Sequence, residues 1–166
     1  MMSHHNGTTH PPNAAPLTAV EIAVLDACRE LGVAFVAFSP VGRGFLAGGV
    51  RNVGDLTAGD FRLAMPRFQG EAFEANLKLF KSFEALAKAA DCTPAQLCLA
   101  WLLAKDPIIV PIPGTTSPDH MRENAGGGAI QLDAQTVAQV DALVNEETVT
   151  GPRYAPAMQA SVDTEG

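Results

Sequence analysis

The sequence has few basic residues, and they are scattered. Its 166 residues include 11 Lys and Arg against 18 Asp and Glu, which gives a formal net charge of −7. Neutralising the phosphates of nucleic acid requires clustered positive charge, which this sequence lacks. We therefore expect no nucleic-acid partner.

Long hydrophobic runs are absent as well. The longest apolar stretch, residues 92–104, is interrupted by Thr, Pro and Gln, whereas a helix that crosses a bilayer needs about 20 apolar residues. No Lys or Arg precedes Arg29 and no apolar run opens the sequence, so we expect no secretory signal. These patterns predict a cytoplasmic protein without a membrane partner.

Cysteine is scarce, and its spacing fits neither a disulfide framework nor a metal site. The cysteines, an odd number without CxxC spacing, are Cys28, Cys92 and Cys98. We expect them to be reduced residues of the core. Three histidines lie near the N-terminus, at His4, His5 and His10. That stretch offers no preorganised geometry, so we expect no metal site.

Turn residues and apolar periodicity divide the chain into three parts. Residues 1–16 contain three Pro and no periodicity, which predicts a disordered leader. Residues 17–150 carry helix and strand patterns and are expected to form one domain. Residues 151–166 are predicted to form a loose tail.

The first half of the domain predicts a helix, a strand and a long loop. Thr18 and Glu21 form a capping box, and Gly32 is placed to end the helix that they begin. Residues 33–38 (VAFVAF) are apolar without alternation, as in a parallel strand covered on both faces. Residues 39–70 contain seven Gly, two Pro and no sustained period, and a loop of this length is usually functional.

The second half predicts two helices, a second strand and two more helices. Helical periodicity covers residues 73–90. Thr93 caps the next helix, whose body, residues 97–104, is apolar all round and is expected to be buried. Residues 108–112 form the second apolar run, in which Pro111 is expected to fray the strand ladder.

The next helix has Pro118 at its first position, and we expect Gly126, Gly127 and Gly128 to end it. The last helix is expected to begin near Asp133, which would be its N-cap. The order of elements indicates an α/β fold with a βαβ arrangement. Two strands alone do not form an independently stable sheet, so the pattern is typical of part of a larger fold.

Both predicted strands are followed by residues that suit a phosphate group. The second strand leads through Gly114–Ser117 into a helix, whose N-terminal amides and dipole attract anions. By itself this pattern is that of an ordinary N-cap at Ser117, and Asp119 in the first turn favours that interpretation. The first strand is followed by a hydroxyl, two glycines and Arg43, which could clamp a diphosphate beside the ring of Phe38.

Four segments together resemble the C-terminal half of the aldo/keto reductase family. They are LDACRELGVAFVAFSPVGRGFL, DFRLAMPRFQ, TPAQLCLAWLLA and IIVPIPGTTSPDHMREN. They agree with the family in order and spacing, and the resemblance spans about residues 20–160. It implies a partial TIM (β/α)8 barrel that comprises the last two strands and their helices.

The resemblance also implies a binding site for NADP or NAD. The positions that match cofactor contacts of the family are Phe38, Ser39, Val41, Gly42, Arg43, Gly114, Thr115, Thr116, His120, Glu123 and Asn124. In this match the ring of Phe38 stacks on nicotinamide, and the residues that follow it contact the pyrophosphate. Residues 114–116 cradle the adenosine ribose phosphate, and Glu123 and Asn124 contact adenine.

Two features of the chain depart from the family pattern. Many members have a cation at the position of Thr116 and Arg at that of His120, so the preference for NADP over NAD is open. The family's catalytic Tyr, Lys, Asp and His come from earlier strands. We identify no catalytic residue in this chain, whose single Tyr is Tyr154.

Three hypotheses follow. The chain is the dinucleotide-binding part of a carbonyl reductase, inactive alone; or it is a non-catalytic module that binds a nucleotide or another protein; or it is a gene remnant that seldom folds. Because each apolar strand has an unpaired edge, we also expect self-association.

Overall fold

The computed structural model describes residues 24–159. The predicted leader, the capping box at Thr18 and the N-terminal histidines lie outside the described residues. The elements are α1 (Val24–Leu31), β1 (Phe35–Phe38), α2 (Gly70–Ala89), α3 (Pro94–Lys105), β2 (Ile109–Ile112), α4 (Pro118–Gly127), α5 (Ala134–Leu143) and α6 (Pro156–Gln159). Apart from α6, which falls in the predicted tail, this order is the one that the sequence predicts.

The two strands form a parallel sheet, as predicted, with Phe35 opposite Ile109 at one end of the register. The expectation that Pro111 frays the ladder is wrong, because Pro111 lies opposite Ala37 and the strand continues. The Phe35 amide donates to the carbonyl oxygen of Ile108 at 2.8 Å. Since backbone groups alternate in direction along a strand, the nitrogen of Pro111 faces the open edge, where no ladder hydrogen bond is lost.

The helices cover one face of this sheet. On that face Ala37 and Ile109 are buried. The opposite face carries Val36, Phe38, Val110 and Ile112, which are between 47% and 54% exposed. We call these four residues the open sheet face. The expectation of strands covered on both faces is therefore wrong within residues 24–159, where only one layer of helices packs on the sheet.

Helix α3 lies at the centre of the core. Thr93 forms the predicted capping box, in which its hydroxyl accepts from the Gln96 amide at 3.2 Å. The helix buries seven side chains, including Leu97 and Trp101, and packs with Phe80 and Phe83 of α2 and with residues of α5. Its apolar composition is thus explained by its position between the sheet and two helices.

Polar contacts fix the C-terminal half of α3 to its neighbours. The Trp101 indole donates to Asp141 of α5 at 2.8 Å, and Lys105 donates to the same carboxylate oxygen. Asp106, just after the helix, accepts from the Ile108 amide at 3.0 Å and from Arg29 of α1 at 2.6 Å. The hydrogen bond from the Ile108 amide, together with Arg29, lowers the pKa of Asp106.

Helix α4 continues through two of the glycines that were expected to end it. It runs to Gly127, and only Gly128 lies beyond it. A Cβ at Gly127 would lie 3.2 Å from the Leu99 Cβ. A Cβ at Gly126 would lie 2.8 Å from Nε2 of the Gln96 side chain. These glycines therefore allow α4 to approach α3 closely. The expectation that Gly126 and Gly127 end the helix is wrong, because both belong to its last turn.

The long loop between β1 and α2 is irregular, as predicted, but has a core of its own. It contains four short 3₁₀ turns. Val50, Met65 and Phe68 are buried together with Phe73 of α2. The ring of Phe45 packs edge-on against three other phenylalanine rings at centroid distances of 5.9–6.0 Å. This cluster joins the loop to the main core.

Among residues 24–159, no helix combines the length and the apolar character that a membrane crossing requires.

We predict that truncating Leu97 destabilises the fold far more than truncating Leu103 of the same helix. Leu97 is fully buried and Leu103 is 38% exposed. Leu97→Ala should lower the free energy of unfolding by about 2–5 kcal/mol, and Leu103→Ala by less than about 1 kcal/mol. Urea denaturation followed by circular dichroism measures both. Equal losses in the two variants would show that α3 is not buried as described.

Candidate functional site

A cleft opens where the two strands end. Its volume is about 1010 Å³. Because β1 and β2 are parallel, the segments that follow them start at the same edge of the sheet and form opposite walls. Nine of the eleven predicted site residues line this cleft: Ser39, Val41, Arg43, Gly114, Thr115, Thr116, His120, Glu123 and Asn124.

The two remaining predicted residues lie beside the cleft. Gly42 lines an adjoining cavity of about 70 Å³ together with Ser39 and Arg43. Phe38 belongs to the open sheet face, with 53% of its surface exposed. The structure thus brings the predicted residues into one region.

The wall after β1 is a tight turn with unusual backbone angles. Ser39 and Arg43 have φ values of 52° and 58°, which non-glycine residues seldom adopt, and Gly42 has a φ of 59°. The Gly42 amide donates to the Ser39 carbonyl at 3.0 Å. Strained backbone of this kind concentrates at functional sites, because the surrounding structure must hold it in place.

A buried thiol fixes the base of this turn to α3. Cys98 donates to the Pro40 carbonyl at 2.8 Å. Burial raises the pKa of the Cys98 thiol to about 12, so it remains a protonated donor at neutral pH. The three cysteines are free, as expected, and Cys98 adds a contact that positions the turn.

An Asp–Arg pair in the long loop fixes the tip of the turn. Arg62 makes a two-pronged contact with Asp60, at 3.0 Å from Nε to Oδ1 and 2.7 Å from Nη2 to Oδ2. The Arg62 Nη1 also donates to the carbonyl oxygen of Arg43 at 3.2 Å. The hydrogen bonds from Arg62 lower the pKa of Asp60 to about 2. Arg62 itself lines the cleft.

Sequence reasoning missed this role of Arg62. The D-x-R spacing of Asp60 and Arg62 is visible in the sequence. Asp60 caps a short 3₁₀ turn by accepting from the Arg62 amide at 2.9 Å. That cap turns the Arg62 side chain back onto the same carboxylate. The contact with Arg43, 19 residues earlier, depends on the folding of the loop and has no local signal.

The Arg43 guanidinium is half-buried and contacts Arg153 and Tyr154 of the C-terminal segment, residues 150–159. Its central carbon lies 5.1 Å from the centroid of the Tyr154 ring, and Nη1 donates to the Arg153 carbonyl at 3.3 Å. Burial, followed by the neighbouring charge of Arg153, lowers the pKa of Arg43. The Arg153 guanidinium in turn lies 4.7 Å from the centroid of the Phe38 ring.

The wall after β2 is the start of α4. Ser117 caps the helix as predicted, with its hydroxyl accepting from the His120 amide at 3.3 Å. The Ser117 amide donates to the Thr115 hydroxyl at 3.1 Å. One turn further, the carbonyl of Glu123 accepts from Gln96 of α3 at 3.2 Å. The helix start is therefore held in place beside the cleft.

The charges around the cleft are mixed. Arg43 and Arg62 lie on the β1 side, and Glu123 lies on the β2 side. Asp119 in the first turn of α4 pairs with Arg122 at 2.8 Å. Within the described residues, no group of three or more His, Cys, Asp or Glu could hold a metal ion.

We predict that the Asp60–Arg62 pair stabilises the chain down to low pH. The folded pKa of Asp60 lies below its ordinary value of 3.8, so the contribution is complete above about pH 4 and is lost as the pH falls toward 2. Asp60→Asn should lower the urea midpoint at neutral pH, and the difference from the unsubstituted chain should vanish near pH 2. Asp55→Asn, an exposed change in the same loop, is the control. A deficit that does not depend on pH would contradict this prediction.

The chain is similar in sequence to known proteins. Residues 11–145 match the model of the aldo/keto reductase family. The chain is 39% identical over 153 residues to aldo-keto reductase yakc [NADP(+)] of Schizosaccharomyces pombe, covering 92% of this chain and 45% of that protein. It is 38% identical over 135 residues to aldo-keto reductase str7 of Strobilurus tenacellus, covering 81% of this chain and 40% of that protein.

Solved structures also share the fold. The thermostable aldo-keto reductase Tm1743, solved with the inhibitor epalrestat, matches with a TM-score of 0.53 and 27% identity over 76% of this chain and 35% of that one. The glycerol dehydrogenase AKR11B4 of Gluconobacter oxydans matches with a TM-score of 0.63 and 23% identity over 75% of this chain and 38% of that one. The second likeness shows the fold alone.

The chain spans less than half the length of the relatives that it matches. Its α/β fold corresponds to part of the TIM barrel of these enzymes. The family model covers most of the sequence, and the chain therefore belongs to the aldo/keto reductase family.

Proposed function

We propose that this chain forms the dinucleotide-binding part of an aldo/keto reductase, comprising the last two strands of the barrel and their helices. The observation that carries the proposal is the cleft, because two separate stretches, 39–43 and 114–124, supply its walls. Its volume of about 1010 Å³ lies at the upper end of the usual range for ligand pockets, about 300–1,000 Å³. A nucleotide with two phosphate-bearing halves needs a site of this size.

The chemistry of the two walls fits such a ligand. Arg43 can make charge-assisted hydrogen bonds to the diphosphate, and the start of α4 after Gly114 offers its dipole to the ribose phosphate. Glu123 and Asn124, both half-buried on α4, would contact the adenine. The exposed ring of Phe38 would stack on nicotinamide. When bound, the dinucleotide supplies the hydride for reduction of a carbonyl.

The choice between NADP and NAD depends on the wall that follows β2. The name of the fission yeast relative specifies NADP(+). In this chain Thr116 and His120 are exposed and lack the fixed positive charge that favours a 2′-phosphate. Arg122 is paired with Asp119. We therefore infer that both dinucleotides bind and that the cleft discriminates weakly between them.

Binding without reduction is the activity that we propose for the chain alone. The described residues that line the cleft include neither Tyr nor Lys. Tyr154 stacks on Arg43, and the four lysines, at Lys78, Lys81, Lys88 and Lys105, lie on α2 and α3. A proton donor tuned by a neighbouring Lys, which carbonyl reduction in this family requires, would come from another part of the barrel.

The open sheet face favours a second function, namely association with another polypeptide. The face is apolar and about half exposed. In a closed barrel the equivalent face meets the other strands across the interior. We infer that it binds either the remaining strands of a barrel or a second copy of this chain.

We predict that Arg43→Ala weakens NADP⁺ binding about tenfold or more, because a hydrogen bond to a charged group contributes roughly 1.5–3 kcal/mol. Isothermal calorimetry with NADP⁺ and with NAD⁺ measures the effect. The matched control is Arg51→Ala, which removes an exposed guanidinium that pairs with Glu84 instead of lining the cleft. If both variants bind as the unsubstituted chain does, the diphosphate site is not at Arg43.

We predict that the isolated chain self-associates through the open sheet face. Val110 lies opposite Val36 on that face, so Val110→Lys places a charge at its centre and should reduce both association and binding of a hydrophobic dye. Sedimentation velocity measures the association. Leu31→Lys, at an exposed position at the end of α1, should change neither. A monomeric unsubstituted chain that binds no dye would contradict the prediction.

A further inference from the structure

Two consecutive residues of the C-terminal segment contact both groups at the β1 end of the proposed site. The Arg153 guanidinium covers the Phe38 ring, with 4.7 Å between its central carbon and the ring centroid. The Tyr154 ring lies 5.1 Å from the Arg43 guanidinium carbon. The Arg153 carbonyl also accepts from Arg43 at 3.3 Å. The segment thus engages the aromatic ring and the guanidinium that would hold a nicotinamide and a diphosphate.

Hydrogen bonds to α2 and to the long loop hold the base of this segment, Thr150 and Gly151. The backbone of Thr150 exchanges two hydrogen bonds of 2.9 Å with the side chain of buried Asn76. The Gly151 carbonyl accepts from Arg67 at 2.9 Å. The contacts of the tip with Phe38 and Arg43 include two cation–π contacts, the hydrogen bond from Arg43 to the Arg153 carbonyl and a side-chain hydrogen bond between Tyr154 and Arg43, all at groups that remain partly exposed. Such contacts are weak and break without loss of the core.

Gly151 joins the base of the segment to its tip, Arg153 and Tyr154. Gly151 has a φ of 89°, a conformation that other residues rarely adopt. A Cβ at this position would also lie 3.2 Å from the Ala72 Cβ. The backbone therefore changes direction at Gly151, and beyond this point the tip reaches Phe38 and Arg43.

We propose that Arg153 and Tyr154 form an autoinhibitory strap that closes the nicotinamide end of the dinucleotide site. A ligand ring that stacks on Phe38 needs the space that the Arg153 guanidinium fills, and the Arg43 hydrogen bond to the strap is withheld from a diphosphate oxygen. The strap must swing away before the nicotinamide half binds, so the apparent affinity falls by the fraction of open molecules. This inference rests on the proposed function, and it concerns regulation of the same site.

If the strap closes the site, replacing Arg153 should change the affinity for the nicotinamide half of the ligand and leave that for the adenosine half unchanged. Arg153→Ala should strengthen binding of NADP⁺ and of nicotinamide mononucleotide roughly three- to tenfold, as expected for loss of a cation–π contact. It should leave binding of adenosine 2′,5′-bisphosphate unchanged, because that compound occupies only the α4 side. Calorimetry with the three compounds measures these affinities in the full chain.

The matched control is a second Arg–Phe stack in the same chain. The Arg51 guanidinium carbon lies 4.1 Å from the centroid of the Phe80 ring, outside the contacts of the strap. Arg51→Ala removes a contact of the same kind and should alter none of the three affinities. Arg153→Lys, which keeps the charge, should restore part of the inhibition.

The single tyrosine of the chain offers a direct reporter of the strap. Fluorinated tyrosine incorporated at Tyr154 gives one fluorine resonance in NMR spectra. In the closed strap this resonance should differ from that of the unfolded chain, and it should move toward the unfolded value when nicotinamide mononucleotide is added or when Arg153 is replaced by Ala. A resonance at the unfolded value from the start overturns the strap without reference to any ligand.

The outcomes separate the strap from the proposed function. If adenosine 2′,5′-bisphosphate binds and Arg153→Ala leaves the affinity for nicotinamide mononucleotide unchanged, the strap is overturned and the site stands. If Arg153→Ala weakens binding, Arg153 is a ligand contact and the strap is likewise overturned. If none of the three compounds binds to any variant, the proposed function fails, and the strap fails with it.

Discussion

The parallel pairing of β1 with β2 is the interaction on which the site depends. Because Phe38 lies opposite Ile112, both strands end at the same edge, and the segments that follow them face each other across the cleft. An antiparallel pair would place these segments at opposite ends of the sheet. The same pairing fixes which residues face the helices, since side chains alternate along a strand. One register therefore determines both the buried face and the walls of the site.

Helix α3 connects the sheet to both walls of the cleft. It packs on the sheet through its apolar body, and from it Cys98 contacts Pro40 in the first wall while Gln96 contacts Glu123 in the second. Close approach of α4 to α3 requires glycine at Gly127. The two walls are thus positioned by a buried helix that contributes little surface to the site itself. Changes in its packing would alter the separation of the walls before they altered any ligand contact.

Features that depend on neighbouring residues were predictable from the sequence, and features that depend on distant ones were not. The caps at Thr93, Ser117 and Asp133 follow from local hydrogen bonds and were predicted correctly. The strands were recognised as apolar runs, but such runs do not reveal how many layers cover them, so the open face was missed. The contact of Arg62 with Arg43 and the contact of Arg153 with Phe38 join residues far apart in the chain, and no local pattern encodes them.

Under the proposed function, nucleotide binding and carbonyl reduction depend on different parts of a barrel. The cleft needs only two adjacent strands, because phosphate groups are bound by backbone turns, a helix start and single guanidinium groups at the strand ends. A catalytic centre needs side chains from several strands at fixed distances from one another, which a closed barrel provides. Under the proposed function, nucleotide binding needs only a two-strand unit, whereas reduction would need the further strands of a barrel opposite the face formed by Val36, Phe38, Val110 and Ile112. In this proposal the ring of Phe38 serves both functions, since it lies beside the cleft and forms part of the surface that the rest of a barrel would meet.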